Sequence, residues 1–401
     1  MSVSESVWVI GAAMTPFGRY PEFDVVDLGA RAAREALRDA DCAIGQMQMV
    51  AVGNVFESMT GVGQRILHEI GQTGVPVHNV VNACATGATA IRTALLAIRA
   101  GEADLALAIG CEQLGKRGLL AAPEEPRGSE FTPRGRDGSV MDTEGLIGST
   151  LMPGVFAEAG IRYLAENPGA TVDHFFKIAQ KNHGHSALNP YAQYRKEFSF
   201  DDIRAADMIA YPNTALMCSP TGDGAAAVVI ASDAALAKLE PGVRDRAVRI
   251  AASVLVSDPF DEAAEASWDV NTVTRNAATQ AYEQAGLGPS DLDLVELHDC
   301  FATAELLHYE NLRLCEPGGA AEFLDSGAPW RDGAMPVNVS GGLLSKGHPL
   351  GATGVAGVFE IVSHLRGDAG DRQIDGARVG LAHVLGLGSS CAVHILERRA
   401  R

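Results

Sequence analysis

The chain of 401 residues lacks the features of a secreted, membrane-spanning or zinc-ribbon protein. Its seven cysteines are odd in number and scattered, with no Cys-x-x-Cys pair among them. This pattern favours neither a disulfide framework nor a metal site. The start, MSVSESVWVIGAAM, lacks the segments of a signal peptide, and no run approaches the ~20 apolar residues of a membrane span. We expect a cytoplasmic protein without a bound metal or a membrane partner.

Positive charge is also scarce. Lys and Arg number 32 against 50 Asp and Glu, a formal net charge of −18. Such a balance argues against nucleic acid and anionic membrane surfaces as general partners. A dinucleotide fingerprint is absent too, because the Gly-x-Gly of HVLGLGSS (383–390) is not followed by a helical pattern. The remaining composition, 47% hydrophobic and 20% charged, is that of an ordinary globular protein.

Strand-like and helical patterns alternate along most of the sequence. VWVIGAA (7–13) precedes a helical pattern over 25–40, and a second strand pattern covers 47–55. The later part repeats this rhythm, with a strand pattern over 247–256, a helical one over 271–286 and a strand pattern ending in DLDLVELHD (291–299). The alternation predicts an α/β fold whose buried strands are near-continuous apolar runs.

Two local similarities indicate an internal duplication. Residues 28–56 and 273–301 share the order helix, short turn, strand and polar corner. The turn NACATGATA (82–90) has a counterpart in SKGHPLGATGVAG (345–357), where histidine stands in place of cysteine. Between these parts, residues 115–215 combine a loop rich in Pro, Gly and charge with helical pieces. We expect this segment to be an insertion over a duplicated core.

Three turns carry candidate catalytic residues. Cys84 follows a strand at the start of a helix, where the helix dipole lowers the pKa of a thiol; an inert buried cysteine is the alternative. His298 and Cys300 end a strand on one side of the extended chain. A structural histidine or a weak two-ligand metal site are the alternatives there. His348, between Gly347 and Pro349, opens a second helix and is not expected to be a packing residue.

Together these motifs resemble the thiolase superfamily over nearly the whole chain. NACATGATA is similar to the thiolase nucleophile turn, and GHPLGATG to its most specific signature. HDCF (298–301) resembles the sterol-carrier-protein type, in which His and Cys replace part of the more usual Asn-Glu-Ala-Phe. The insertion sequence FFKIAQKNHGHSALNPYAQYRKEFS (175–199) also resembles that subgroup. The sterol-carrier domain of some relatives is expected to be absent, because the chain ends soon after its last predicted strand.

The resemblance implies a specific architecture. We expect two pseudo-symmetric β–α–β–α–β–α–β–β halves in five layers with an inserted loop domain. The N-terminal half is predicted over 1–115 and 216–242, the loop domain over 116–215, and the C-terminal half over 243–401. A homodimer or homotetramer is expected from the family.

The resemblance also implies a reversible Claisen reaction with coenzyme A as co-substrate and no bound cofactor. Cys84 would attack the 3-keto carbon of a 3-oxoacyl-CoA, with its oxyanion held by the backbone N–H groups of Cys84 and Gly386. His348 would take the thiol proton, His298 and His348 would stabilise the enolate, and Cys300 would protonate it. Lipid, branched-chain or steroid side-chain degradation is the expected context. In the common thiolase the last loop carries a Cys-x-Gly, whereas Val384 stands at the position of that cysteine here.

Coenzyme A is anionic, so basic residues near the insertion are weak candidates to bind it; solvated loop positions are the alternative. They are Arg117, Arg134, Lys177, Lys181 and Lys346, with Lys116, Arg127, Arg136, Arg195 and Lys196 as further members of the group.

Two other functions stay open. One is an acyltransferase or aldolase-like subunit that acts with a zinc-ribbon/OB-fold partner. A retro-aldol relative is expected to lack the nucleophile and to carry Tyr in place of His298. The other is a non-catalytic lipid-binding or scaffold protein, which loss of Cys84, His298 or His348 would have favoured.

Overall fold

The computed structural model describes residues 6–114, 151–259, 270–386 and 390–399. The first half of the fold contains eight of its elements in the order β–α–β–α–β–α–β–β. They are β1 (Val7–Met14), α1 (Val25–Asp39), β2 (Met49–Gly53), α2 (Val62–Ile70), β3 (Val77–Val80), α3 (Thr86–Arg99), β4 (Leu105–Gln113) and β7 (Asp223–Ser232).

An inserted segment lies between β4 and β7. Its described elements are α4 (Leu151–Glu166), α5 (Val172–Ser186), α6 (Phe200–Ala205), β5 (Met208–Ala210) and β6 (Asn213–Thr214). Two short helices, α7 (Asp233–Leu236) and α8 (Pro241–Arg246), lead from β7 into the second half.

The second half repeats the order of the first. Its elements are β8 (Val248–Val256), α9 (Val270–Ala285), β9 (Leu294–Glu296), α10 (Ala302–Asn311), α11 (Ala320–Asp325), α12 (Gly342–Lys346), α13 (Leu350–Arg366), β10 (Val379–Gly386) and β11 (Ser390–Arg398). Where the first half has β3, the second has a single parallel bridge between Val295 and Val337.

Nine of the described strands form one sheet in the order β3-β2-β4-β7-β1-β8-β11-β10-β9. Reading outward from the antiparallel β1–β8 pair, both halves place equivalent strands in equivalent positions. Strands β2 and β7 are buried along their whole length, which is the expected pattern when helices cover both sides of a sheet. The predicted pseudo-symmetric α/β fold is therefore confirmed, whereas the predicted domain boundaries stay predictions.

Three apolar cores account for the predicted five layers. Helices α1 and α2 pack on the outer face of the first half, and α9 and α10 pack on the outer face of the second. Between the two halves, α3 and α13 share a core with residues from β1, β4, β7 and β8. The helix α5 of the insertion packs beside α10 in the second outer core. Among the described residues, no helix has the length and apolar character that a membrane crossing needs.

The N-terminal ends of α3 and α13 approach each other closely because both carry glycine. A Cβ added at Gly87 would lie 2.6 Å from the carbonyl oxygen of Gly351, and one at Gly354 would lie 2.9 Å from the Cβ of Ala88. Both distances are shorter than a real Cβ contact, so larger residues would force the helices apart. This contact sets the distance between the turns that precede the two helices.

Candidate active site

The Cys84 turn lies between β3 and α3. Ala83 has φ +45°, a left-handed conformation that is uncommon for a residue with a Cβ and is concentrated at functional sites. The turn is fixed by Asn82, whose backbone N–H donates to Thr86 Oγ1 at 2.8 Å and whose side-chain Nδ2 donates to Thr89 Oγ1 at 2.9 Å. Cys84 itself is buried at the start of the helix.

Gly386, at the end of β10, lies against this turn. A Cβ at this position would stand 2.5 Å from the Asn82 carbonyl oxygen and 3.2 Å from the Ala85 nitrogen, so only glycine allows the approach. Ser390 Oγ also donates to the Asn82 oxygen at 3.2 Å. Val384 packs in a small apolar cluster that includes Cys84, so a side chain without a titratable group occupies that side of the thiol.

The His348 turn is the symmetry-related counterpart. Gly347, with φ +116°, occupies the place of Ala83, and Pro349 precedes the first residue of α13 as Ala85 precedes that of α3. The side chain of His348 is buried, and its Nδ1 lies 2.8 Å from Thr353 Oγ1. Its Nε2 has no hydrogen-bond partner within the ranges that the structure describes.

The fold brings three of the predicted residues together. The Sγ of Cys84 and one ring nitrogen each of His298 and His348 all lie within 4.8 Å of one another. The two imidazole rings are 5.2 Å apart between centroids at an interplanar angle of 78°. A thiol beside two imidazoles offers one nucleophile and two proton carriers. The same donor types also occur in zinc sites.

Burial decides the charge of both imidazoles. It lowers the pKa of His348 from 6.5 to about 3. The pKa of His298 lies well below its ordinary value, first because of burial and then because His348, His383 and His308 are close. Both rings are therefore neutral at pH 7, and a neutral imidazole can accept a proton from a thiol.

Cys300 follows β9 by four residues and is buried, with 4% of its surface exposed. Burial raises the pKa of its thiol well above the ordinary value, and nearby Cys84 and Asp299 raise it further. The thiol is therefore protonated at neutral pH, which suits a proton donor and not a nucleophile.

Asp299 connects the His298 segment to the His348 turn. Its carboxylate accepts from the backbone N–H of Leu343 at 2.7 Å and from Asn182 Nδ2 at 2.8 Å. The left-handed Gly342 allows this approach, because a Cβ there would overlap the carboxylate. Asp299 thus fixes the start of α12, the short helix that leads into the turn of His348.

Several of these supporting residues were not predicted from the sequence. Glu112 accepts from the backbone N–H of Val55 at 3.0 Å and of Gly351 at 3.3 Å, which ties β4 to the start of α13. His383 Nδ1 accepts from the backbone N–H of His298 at 3.3 Å. No sequence motif marks Glu112 or His383. Thr353, in contrast, could have been found by aligning the sequences of the two duplicated turns, because it occupies the same position as Thr89.

The candidate coenzyme A residues fall into three groups. Arg117 and Arg134, with Lys116, Arg127 and Arg136, lie outside the described residues. Lys181 is buried and pairs with Glu305 at 2.8 Å, and Lys346 is buried 3.6 Å from Glu360 and 3.8 Å from Glu296. Because these two ammonium groups are enclosed and already compensated by carboxylates, we do not retain them as contacts for an anionic ligand. The third group lies nearer the surface: Lys177 is partly exposed and pairs with Asp325 at 2.6 Å, and Arg195 and Lys196 are exposed.

Comparison with known proteins gives consistent matches over the chain. The family model described as thiolase, N-terminal domain, matches residues 7–234, and the model described as thiolase C-terminal domain-like matches residues 261–398. Sterol carrier protein 2 of Homo sapiens is 40% identical over 402 residues, which cover 98% of this chain and 72% of that protein. Benzoylsuccinyl-CoA thiolase subunit BbsB of Thauera aromatica is 36% identical over 394 residues, 97% of this chain and 96% of that one.

Among solved structures, the Ltp2-ChsH2(DUF35) aldolase superposes with a TM-score of 0.80 over 100% of both chains at 20% sequence identity. At that identity the likeness establishes the shared fold, and activity has to be argued from the site.

Proposed function

Because the chain belongs to the thiolase family, we propose that it is a coenzyme-A-dependent acyltransferase. The reaction cleaves a 3-oxoacyl-CoA into acetyl-CoA or propanoyl-CoA and a shortened acyl-CoA, or runs the reverse condensation. The observation that carries this proposal is the convergence of Cys84, His298 and His348 within 4.8 Å. Lipid, branched-chain or steroid side-chain degradation is the proposed context.

In the proposed first step, His348 takes the proton of Cys84 and the thiolate attacks the 3-keto carbon. The backbone N–H groups of Cys84 and Gly386 hold the resulting oxyanion, which the close approach of Gly386 to the turn supports. Such donors contribute a few kcal/mol each, about 2.7–4 in other acyl-transfer enzymes. A thiolate suits this role because the acyl group must pass on to another thiol.

In the proposed second step, the bond between C2 and C3 breaks. The electron pair goes to the enolate of the departing acyl-CoA, whose oxygen His298 and His348 stabilise. The thiol of Cys300 protonates C2, and its high pKa supports that role because the group carries its proton at neutral pH. The thiolate of Cys300 then takes the proton of the coenzyme A thiol, whose sulfur attacks the acyl group on Cys84. The bond between the acyl carbon and Cys84 breaks, the leaving thiolate takes back the proton held by His348, and the shortened acyl-CoA is released.

Replacement of the nucleophile tests the proposal directly. Cys84→Ala should abolish thiolysis of a 3-oxoacyl-CoA while the fold is retained, because no other thiol occupies the turn. The measurement is the loss of the 3-oxoacyl-CoA enolate absorbance, with circular dichroism as the check on folding. Native-rate cleavage by this variant would show that the mechanism is wrong.

A second variant separates the two thiols. Cys300→Ala should reduce C–C cleavage by about 100-fold or more, which is the contribution of a general acid. Acylation of Cys84 by a simple acyl-CoA should persist, because it needs no carbon protonation. Mass spectrometry of the protein measures the acylation of Cys84. Equal losses in both assays would remove Cys300 from its proposed role.

The partners need a separate test. The relative BbsB is named a thiolase subunit, which favours keeping an acyltransferase subunit with a second polypeptide as the alternative. We propose a homodimer or homotetramer that is active alone. Thiolysis by the purified chain, unchanged after treatment with a metal chelator, is the expected result. Activity only with an added zinc-ribbon/OB-fold protein would support the alternative.

Binding of coenzyme A can be tested at Lys177, a described candidate that is partly exposed. If its ammonium group meets the ligand, Lys177→Met should raise the KM for coenzyme A several-fold and leave kcat near the native value. An unchanged KM would remove Lys177 from the proposed binding surface.

A further inference from the structure

The first turn of α13 places a threonine hydroxyl directly against the imidazole of His348. Thr353 Oγ1 lies 2.8 Å from His348 Nδ1 and 3.0 Å from the carbonyl oxygen of Pro349. Both side chains are buried. Because Nδ1 is buried against this hydroxyl, the hydroxyl is the group that decides which nitrogen of His348 carries the proton.

The hydrogen atoms at this contact can be assigned from chemistry. A carbonyl oxygen only accepts, and we assign the single hydroxyl hydrogen of Thr353 to the bond with Pro349. With this assignment the hydroxyl accepts at its other contact, and His348 Nδ1 donates. A neutral imidazole has one N–H, which leaves the lone pair on Nε2. Nε2 is the nitrogen for which the described residues supply no partner.

The duplicated turn of the first half shows the same arrangement with an unambiguous donor. Thr89 Oγ1 donates to the carbonyl oxygen of Ala85 at 3.0 Å and accepts from Asn82 Nδ2 at 2.9 Å. An amide nitrogen cannot accept, so the hydroxyl at this equivalent position is an acceptor toward the turn. In both halves a threonine hydroxyl therefore accepts a hydrogen bond from the preceding turn. The donor is the Asn82 amide in the first half and, in our assignment, the His348 imidazole in the second.

We propose that Thr353 is a positioning residue that fixes His348 in the tautomer whose Nε2 lone pair faces the Cys84 thiol. The inference rests on the proposed roles of Cys84 and His348. Without the hydroxyl, Nδ1–H loses its acceptor and the ring is free to adopt the other tautomer, which cannot take a proton at Nε2. Loss of a group that orients a metal-bound histidine lowers metal affinity or activity by about 10- to 100-fold, and we expect a loss of the same order here.

Three variants test the assignment. Thr353→Val removes the hydroxyl at nearly constant volume, and Thr353→Ser restores it. Ser363→Ala is the matched control, because Ser363 lies on the same helix and donates to the carbonyl oxygen of Phe359 at 2.8 Å, with no imidazole attached. The readouts are kcat for thiolysis and the ¹⁵N chemical shifts of the histidine rings, with the His348 signals assigned from a His348→Gln spectrum.

We expect Thr353→Val to lower kcat by about 10- to 100-fold and to move the ¹⁵N shifts of His348 away from those of an Nδ1–H tautomer. Thr353→Ser should restore kcat and the ¹⁵N shifts of His348, and Ser363→Ala should leave both readouts unchanged. Native His348 shifts in Thr353→Val, or no rescue by serine, would overturn the proposal. The ¹⁵N readout does not depend on catalysis. If Cys84→Ala retained thiolysis while Thr353→Val still changed the tautomer, the proposed function would fail and the tautomer assignment would stand.

Discussion

The buried Lys181 offers a quantitative test of how the insertion supports the candidate site. Its ammonium group has three N–H donors and three acceptors at bonding distance: Glu305 Oε1 at 2.8 Å, Asn182 Oδ1 at 2.6 Å and the Val337 carbonyl oxygen at 2.8 Å. Neither Lys181 nor Glu305 exposes its side chain. The pair therefore connects α5 to α10 with every donor of the ammonium group satisfied.

Lys181→Met removes this positive charge while nearly conserving the volume of the side chain. Glu305 then remains as a buried, uncompensated carboxylate near Asp299. Breaking a buried ion pair from one side costs about 3–5 kcal/mol, a large part of the ~5–15 kcal/mol by which proteins are stable. Lys177→Met is the matched control on the same helix, because its ion pair with Asp325 is solvent-accessible and is expected to contribute about 0–1 kcal/mol.

Urea denaturation of both variants, followed by circular dichroism, measures the difference. A double variant with Glu305→Gln keeps the test informative if Lys181→Met folds poorly, since removing both charges should recover more than about 1 kcal/mol of the loss. A cost below about 1 kcal/mol for Lys181→Met, or a cost equal to that of Lys177→Met, would refute the reasoning.

Two further predictions concern the helix contact and the buried imidazoles. Gly354→Ala should destabilise the protein by about 1–3 kcal/mol by overpacking the α3–α13 contact, because its Cβ would lie 2.9 Å from that of Ala88. Gly357→Ala, on the same helix with only Ala382 Cβ within reach at 3.6 Å, should be neutral or stabilising; similar melting temperatures for both would contradict this. Burial lowers the pKa of His308 to about 3 from 6.5. Below pH 6.5 the unfolded chain therefore binds a proton that the folded chain does not. For such a group, the free energy of unfolding falls by about 1.4 kcal/mol for each unit by which the pH is lowered. His308→Gln should reduce this slope between pH 6.5 and 4, and parallel denaturation curves for the variant and the native protein would argue against it.

Much of the fold could be predicted from the sequence because its signals are local. The strand pattern over 247–256 and the helical pattern over 271–286 correspond to β8 and α9 almost residue for residue. The internal similarity predicted the second half from the first. It worked because a buried strand and a helix that covers it leave strong apolar patterns. The third strand of the second half was beyond such reasoning, because it is reduced to one bridge at Val337.

The candidate site was predictable only where chemistry and turn geometry coincide. Cys84 and His348 stand in glycine-rich turns that open helices, which the sequence displays. The burial of Lys181 and Lys346 is not visible there, because their partners Glu305 and Glu360 are more than ten residues away along the chain. Glu112 is likewise a long-range contact, joined to Gly351 across 239 positions. Such pairs depend on packing between layers and not on local pattern.

The contact between the N-terminal ends of α3 and α13 has a consequence for assembly of the protein during folding. Cys84 belongs to one half and His348 to the other, so neither half contains the proposed catalytic pair by itself. The pair forms only when the two helix ends, which both carry glycine, come together. Recovery of the reactivity proposed for Cys84 after denaturation therefore times the docking of the halves, separately from the folding of each.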